Sequence, residues 1–213
     1  MWILSVLLSL LTTNLIFTKA LGTSTLMAAT KSRSNLAVLA GVITGFSMLA
    51  CMLTSLLFRF MGFSVICTYP YVLPLVYTLV ISVIYIIVLL VLHALFRKRF
   101  GSYKKYIHLS AFNCAVMGTL YLAFEPMQFL TDLQLPTDHY ILGSIYANTT
   151  TPVGAALFGL QSGLGFLLSA LMLSAVRKRL YDEEVPTAFR GFPAVMVYLG
   201  LLSMAIYAIG MES

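Results

Sequence analysis

Residues Tyr106–Phe124 read YIHLSAFNCAVMGTLYLAF, and the fold turns on how this stretch is understood. Its length suits a membrane crossing, because about 20 apolar residues rising 1.5 Å each span the hydrocarbon. Yet Ser110, Asn113, Cys114 and Gly118 stand where a plain anchor would carry Leu or Val. An Asn at mid-depth needs a partner inside the protein, since lipid offers none. Beside it sits a thiol, the soft donor that iron and other thiophilic metals prefer. The segment therefore reads as a broken functional crossing held by its neighbours.

Composition agrees with a membrane setting. The 213 residues are 60% hydrophobic and only 9% charged, with a mean hydropathy of +0.95; soluble domains carry roughly 25% charged residues. The net charge of +6 then speaks of topology, not of nucleic acid. Cys51, Cys67 and Cys114 show no paired spacing, and three cysteines cannot pair evenly, so no disulfide framework is expected. Among soluble catalytic patterns there is no Gly-rich phosphate loop, no Ser-His-Asp arrangement and no nucleotide fingerprint.

Working outward, six crossings emerge. The N-terminal run lacks the basic residues that open a signal peptide and is read as a crossing. It is interrupted by Thr12, Thr13, Asn14, Thr18 and Lys19, then breaks after Gly22 at Thr23-Ser24-Thr25. Lys19 can reach the interface by extending its side chain. Leu36–Phe58 is a clean span whose Gly41 and Gly45 suit close helix contact. Val72–Phe96 is the most apolar span, with His93 near its end; Tyr106–Phe124 follows, then Pro152–Val176, whose glycines at 154, 159, 163 and 165 suit tight packing, and Pro193–Met211. Between the fourth and fifth spans lies a polar stretch holding Asp132, Asp138, His139 and an Asn148-Thr149-Thr150 sequon; it reads as a solvated loop.

Alternating the loops puts Lys31, Arg33, Arg97, Lys98, Arg99, Lys104, Lys105, Arg177, Lys178, Arg179 and Arg190 on one side, against Arg59 alone on the other. Eleven of 13 cations thus share a face, which the positive-inside rule makes cytoplasmic. The expectation is an all-α integral membrane protein of the cytoplasmic membrane, with both termini on the outer side. The first and fourth segments are both polar-interrupted and carry Asn14 and Asn113, 99 residues apart. Each opens a set of three spans, and an odd number inverts the second set. The chain is read as one transmembrane domain, 1–213, built of two inverted three-helix repeats, about 1–96 and 106–211. Paired broken helices in such repeats point to a functional centre near the midplane.

Several of these segments resemble the Rnf-Nqr family, which includes the A component of the Rnf ferredoxin:NAD oxidoreductase and the E component of the sodium-pumping NADH:quinone oxidoreductase. The resemblance is carried by Thr13-Asn14-Leu15 through Lys19, Leu21-Gly22, Asn113-Cys114-Ala115-Val116-Met117-Gly118, Arg177-Lys178-Arg179-Leu180 and Val185-Pro186-Thr187-Ala188-Phe189-Arg190-Gly191. It implies that two homologous six-helix subunits pack in inverted orientation around an intramembrane [2Fe–2S] cluster, which four thiolates hold. Each subunit gives one ligand from each of its broken helices. By that resemblance Cys114 is one ligand, and the other would be a Cys in Leu-Gly-x-Cys. Here the sequence reads Leu21-Gly22-Thr23-Ser24, so Ser24 takes the place of the second thiol. Cys51 and Cys67 are the remaining thiols, and both read as ordinary apolar positions.

The implied function is relay of electrons across the membrane, coupled to Na⁺ or H⁺ movement, within a complex whose flavin- and iron–sulfur-bearing subunits handle NADH and ferredoxin. A scaffold subunit that has lost the cluster, and a small-solute transporter with inverted repeats, are the competing readings. Ser24 favours the scaffold; Cys114 argues against the transporter.

Overall fold

The computed structural model describes residues 10–11, 14–30, 33–61, 72–95, 97, 100–124 and 151–212. Among these it is all helical, with no strand. Eight helices are described: α1 (Leu15–Lys19), α2 (Thr23–Ala29), α3 (Arg33–Met61), α4 (Val72–Leu95), α5 (Phe100–Ala111), α6 (Cys114–Phe124), α7 (Pro152–Leu180) and α8 (Phe192–Glu212). Three are long and apolar enough to cross a membrane: Asn35–Phe60, Val72–Ala94 and Pro152–Leu180. A fourth crossing results if Tyr103–Ala111 and Cys114–Phe124, bent by 41° at their junction, form one broken span. The last helix is apolar over Phe192–Ala208. Cys67, the polar loop with Asp132, Asp138 and His139, and the Asn148 sequon lie outside the described residues.

Local chemistry sets the helix ends. Thr151 opens α7: its Oγ1 accepts from the Gly154 N–H at 3.1 Å, and Pro152 fills the first helical position, where a missing N–H costs nothing. α1 closes on Ala20 in the left-handed region, φ +55°, with Leu21 N–H reaching back to Leu15 O at 3.3 Å. Gly22, φ +82°, then turns the chain into α2. The helix that opens this bent pair starts earlier than the hydropathy of Tyr106–Phe124 implied. α5 begins at Phe100 and takes in Lys104 and Lys105, because charged residues with long side chains continue a helix as readily as apolar ones.

The chain divides into two compact units, one of residues 1–40 with 164–213 and one of residues 41–163. In the first, α1 packs against α8, and the Ser203 hydroxyl donates to Phe17 O. Arg177 reaches Thr30 Oγ1 at 3.3 Å and lies over the Tyr181 ring. In the second, α4 packs against α5 and α6. Phe58 stacks edge-on to Phe124 with centroids 5.2 Å apart, and Tyr77 meets Tyr121 in the same manner at 5.2 Å. Gly159 and Gly163 of α7 press on α3: a Cβ on Gly159 would lie 2.5 Å from Ser47 O, and one on Gly163 2.6 Å from Thr44 Cα. The glycines expected to mediate close contact on α3 do not. Nothing stands within 4 Å of where a Cβ on Gly41 or Gly45 would be, and both are exposed. The small-residue contact comes from the other helix.

Candidate functional site: the two breaks

Each interrupted segment is organised by an asparagine. At the first break, Asn14 is buried, and its Oδ1 accepts from the Ile16 N–H at 3.0 Å, capping α1. Its amide nitrogen donates to Gly165 O at 2.7 Å and to Ser169 Oγ at 2.8 Å, both on α7. Every polar atom of that side chain is engaged, as an amide in a dry interior requires. Gly165 makes the approach possible, since a Cβ there would meet the Asn14 amide at 3.3 Å.

At the second break, Phe112 and Asn113 separate α5 from α6. Asn113 Oδ1 accepts from the Ala115 N–H at 3.2 Å, so the amide caps α6 as Asn14 caps α1. The parallel ends there. Asn113 Nδ2 is buried and has no hydrogen-bond partner among the described residues, and the Ser110 hydroxyl one turn earlier shares that condition. The internal partner expected for Asn113 is thus supplied on its oxygen only. One turn into α6, Thr119 Oγ1 donates to Ala115 O at 2.7 Å and lies 2.6 Å from Ser162 Oγ of α7. Sequence reasoning missed Ser162 and Ser169, because nothing in an apolar helix marks which turn will face a break; Gly165 it read only as one of four glycines suited to tight packing.

Cys114 is the first residue of α6 and is exposed, whereas Ala115, Val116, Gly118, Thr119 and Leu120 behind it are buried. Ser24 occupies the second position of α2 and is also exposed, between buried Gly22 and buried Thr25 and Leu26. Cys114 belongs to the unit of residues 41–163 and Ser24 to the other. Cys51 is wholly buried in α3, which fits the reading of it as a small apolar side chain. Lys19 is exposed at the end of α1. A pair the sequence reading passed over is Tyr85 and His108, whose Oη and Nδ1 are 2.6 Å apart on an exposed face of α4 and α5.

A family model described as Rnf-Nqr subunit, membrane protein, matches residues 2–133 and 135–212. The chain belongs to the Rnf-Nqr family. Its relatives include the A component of the ion-translocating oxidoreductase complex from Buchnera aphidicola subsp. Baizongia pistaciae (strain Bp), 36% identical over 53 residues, or 25% of this chain and 27% of that protein. The protein of the same name from Shewanella pealeana (strain ATCC 700345 / ANG-SQ1) is 36% identical over 74 residues, 33% of this chain and 38% of the relative. That of Shewanella piezotolerans (strain WP3 / JCM 13877) is 32% identical over 100 residues, 47% and 41% respectively. The matched stretches thus span about a quarter to two fifths of these relatives' length.

For an Rnf-Nqr chain the test of an iron–sulfur site is the donor set. Among the described residues no three of His, Cys, Asp or Glu stand in a metal-holding group. The chain has three cysteines, so it cannot by itself supply the four thiolates such a cluster takes. A shared cluster asks less. Cys114 fits such a site, as a thiol exposed on the chain's own surface at the start of a helix, and Ser24 fits it only as an oxygen donor.

Proposed function

We infer that this chain is a membrane subunit of a redox-driven ion-translocating oxidoreductase complex. The observation that carries the reading is Cys114: an exposed thiol at the head of α6, behind a 41° break, in a helix whose next residues are buried. A subunit that merely filled the membrane would have no use for a break and a thiol at one point. The chain makes six crossings with both termini on the outer side, in two inverted repeats, and a homologous six-helix subunit completes the site.

Cys114 is the thiolate ligand this chain gives to a [2Fe–2S] cluster shared with that partner, and Ser24 stands at the family's first ligand position with oxygen. Bound there, the cluster supplies one-electron transfer across the low-dielectric interior. The chain's own residues hold the ligand still. The Asn113 cap fixes the first turn of α6, and the Thr119–Ser162 hydrogen bond secures that helix to α7. At the other break, Asn14 binds α1 to α7. NADH, ferredoxin and flavin are handled by other subunits, and the electrons are coupled to Na⁺ or H⁺ movement.

The test is Cys114→Ala in the assembled complex, read by iron content, the EPR signal and electron-transfer turnover. Loss of one iron–sulfur signal with near-total loss of turnover, in a complex that still assembles, is the expected result. Ser24→Cys should raise iron occupancy. Ser24 gives the scaffold reading its foothold: wild-type turnover and unchanged iron in Cys114→Ala would establish that reading and remove the relay.

A further inference from the structure

We propose that the groove between α3, α4 and α5 is a binding site for one anionic phospholipid. Its acyl chain lies in the groove, and its phosphate is held by the exposed basic residues that flank the lining turn of α5.

The groove is open on one side, offers a volume of about 210 Å³ and lies wholly within the unit of residues 41–163. Gly45 and Leu49 of α3 form one wall, Val88 and Leu92 of α4 a second, and Tyr103 and Tyr106 of α5 the third. Gly45 creates the room, because a Cβ there would find no atom within 4 Å. The walls are apolar, so a water molecule inside would lack the two to four polar partners that hold buried water in place. In a bilayer such a space fills with hydrocarbon.

The charge around the groove selects which hydrocarbon. Lys104 lies on the same turn of α5 as Tyr103 and Tyr106, and Lys105 is adjacent; both are exposed. Arg97 is exposed just past the end of α4, five residues beyond Leu92. The described residues of this unit include no Asp or Glu to neutralise these cations. Lysines at this level must reach the headgroup region, as their side chains do near helix ends. The lining turn of α5 therefore stands at the headgroup boundary, with the groove descending from it. Tyr103 and Tyr106 suit that boundary, where one end of the ring is wet and the other apolar. A basic cluster beside an interhelical apolar groove, on the side where the cations accumulate, is the recognised arrangement for anionic headgroups. An ordinary partner helix would explain the groove but not the cations beside it, which no described carboxylate balances. The inference requires membrane insertion only and stands apart from any cluster at Cys114.

The complex is solubilised, delipidated stepwise with detergent, and the phospholipid retained per chain is counted by class with mass spectrometry. Wild-type protein should keep about one equivalent of anionic phospholipid when zwitterionic lipid has gone. Lys104→Gln should weaken that retention about fivefold, the effect of one cation near a charged lipid surface. Lys104→Gln with Lys105→Gln should weaken it about thirtyfold, with Arg97 still in place. Gly45→Leu fills the groove and should release the lipid altogether. Retention of both classes in their bulk membrane ratio by wild type overturns the site, and so does unchanged anionic retention in the double lysine variant. If Gly45→Leu expels a neighbouring subunit and leaves the lipid count unchanged, the groove is a protein interface and the proposal fails. If Gly45→Leu does not fold, the lysine variants decide alone.

Discussion

The amide nitrogen of Asn14 lies 2.8 Å from Ser169 Oγ, joining residues 155 positions apart in the chain. The same nitrogen reaches Gly165 O, and the oxygen of that amide caps α1. One side chain thus secures a five-residue helix that could not persist alone, since isolated helices of under about 12 residues are marginal. Asn14→Ala removes a cap worth about 1 kcal/mol and the bonds to α7, for a combined loss of about 2–3 kcal/mol. Ser169→Ala should cost about 1 kcal/mol or less. Unfolding of the purified protein in graded SDS measures both. Equal losses in the two variants would mean that capping contributes nothing.

The glycines of α3 and α7 should respond in opposite ways. Gly159→Ala places a methyl 2.5 Å from Ser47 O, where only backbone can give way, and should cost about 1–3 kcal/mol. Gly41→Ala meets nothing within 4 Å and should gain up to about 1 kcal/mol from helix propensity. The same unfolding assay compares them. Comparable damage from Gly41→Ala would show that its exposed face is packed against another protein.

Ala20 is the one non-glycine residue with positive φ among the described residues, and it closes α1. Its methyl group crowds the following carbonyl in this region, at about 1–2 kcal/mol. Ala20→Gly should recover about 1 kcal/mol of stability, measured as a rise in unfolding midpoint. No gain, or a loss, would mean that the turn relaxes in the membrane.

Thiol labelling separates the cysteines by position. Cys114 is exposed and Cys51 buried. In the separated chain, a small maleimide should modify Cys114 within minutes and leave Cys51 untouched until the fold opens, with sites located by peptide mass. In the assembled complex Cys114 should be protected. Equal reactivity of Cys114 in both states would place it away from any partner or bound group.

Orientation follows from charge. With 11 cations assigned to one face, a periplasm-dependent reporter fused after Ser213 should be active, and the same reporter in the loop between α7 and α8 should be silent. The reverse pattern would overturn the alternation on which the six crossings rest.

How far the sequence could be read depended on the kind of interaction. Leu36–Phe58 became Arg33–Met61, and Pro152–Val176 became Pro152–Leu180. A long apolar run bounded by charge leaves a helix little choice of place, so hydropathy finds it. A break near Gly22 was legible, as glycine tolerates the positive φ found there, but its place was not: the chain turns at Ala20–Gly22, and Thr23-Ser24-Thr25, read as the break, form the first turn of α2. Contacts were legible in part. The glycines of the fifth span suggested tight packing, and Gly159 and Gly163 do press on α3, whereas Gly41 and Gly45 suggested the same and meet nothing. Which face of a helix turns inward depends on the neighbours as well as on its own pattern. Asn14 and Asn113 looked equivalent and share a capping geometry, yet only Asn14 meets acceptors on α7. That difference lies in residues more than a hundred positions away, beyond any local motif. The exposure of Cys114 and Ser24 was likewise set by which turn of each short helix faces the interior.

The long reach of Asn14 also imposes a schedule on biogenesis. Its acceptors are made 151 and 155 residues later, and ribosomes add roughly 5–20 residues per second. For about 8–30 s the first segment therefore waits beside the translocation machinery, with a buried-type amide and a frayed helix that nothing yet completes. A slow codon run before Gly165 lengthens that interval. The arrival of α7 ends that interval, because Gly165 and Ser169 bring the acceptors the Asn14 amide holds in the finished fold.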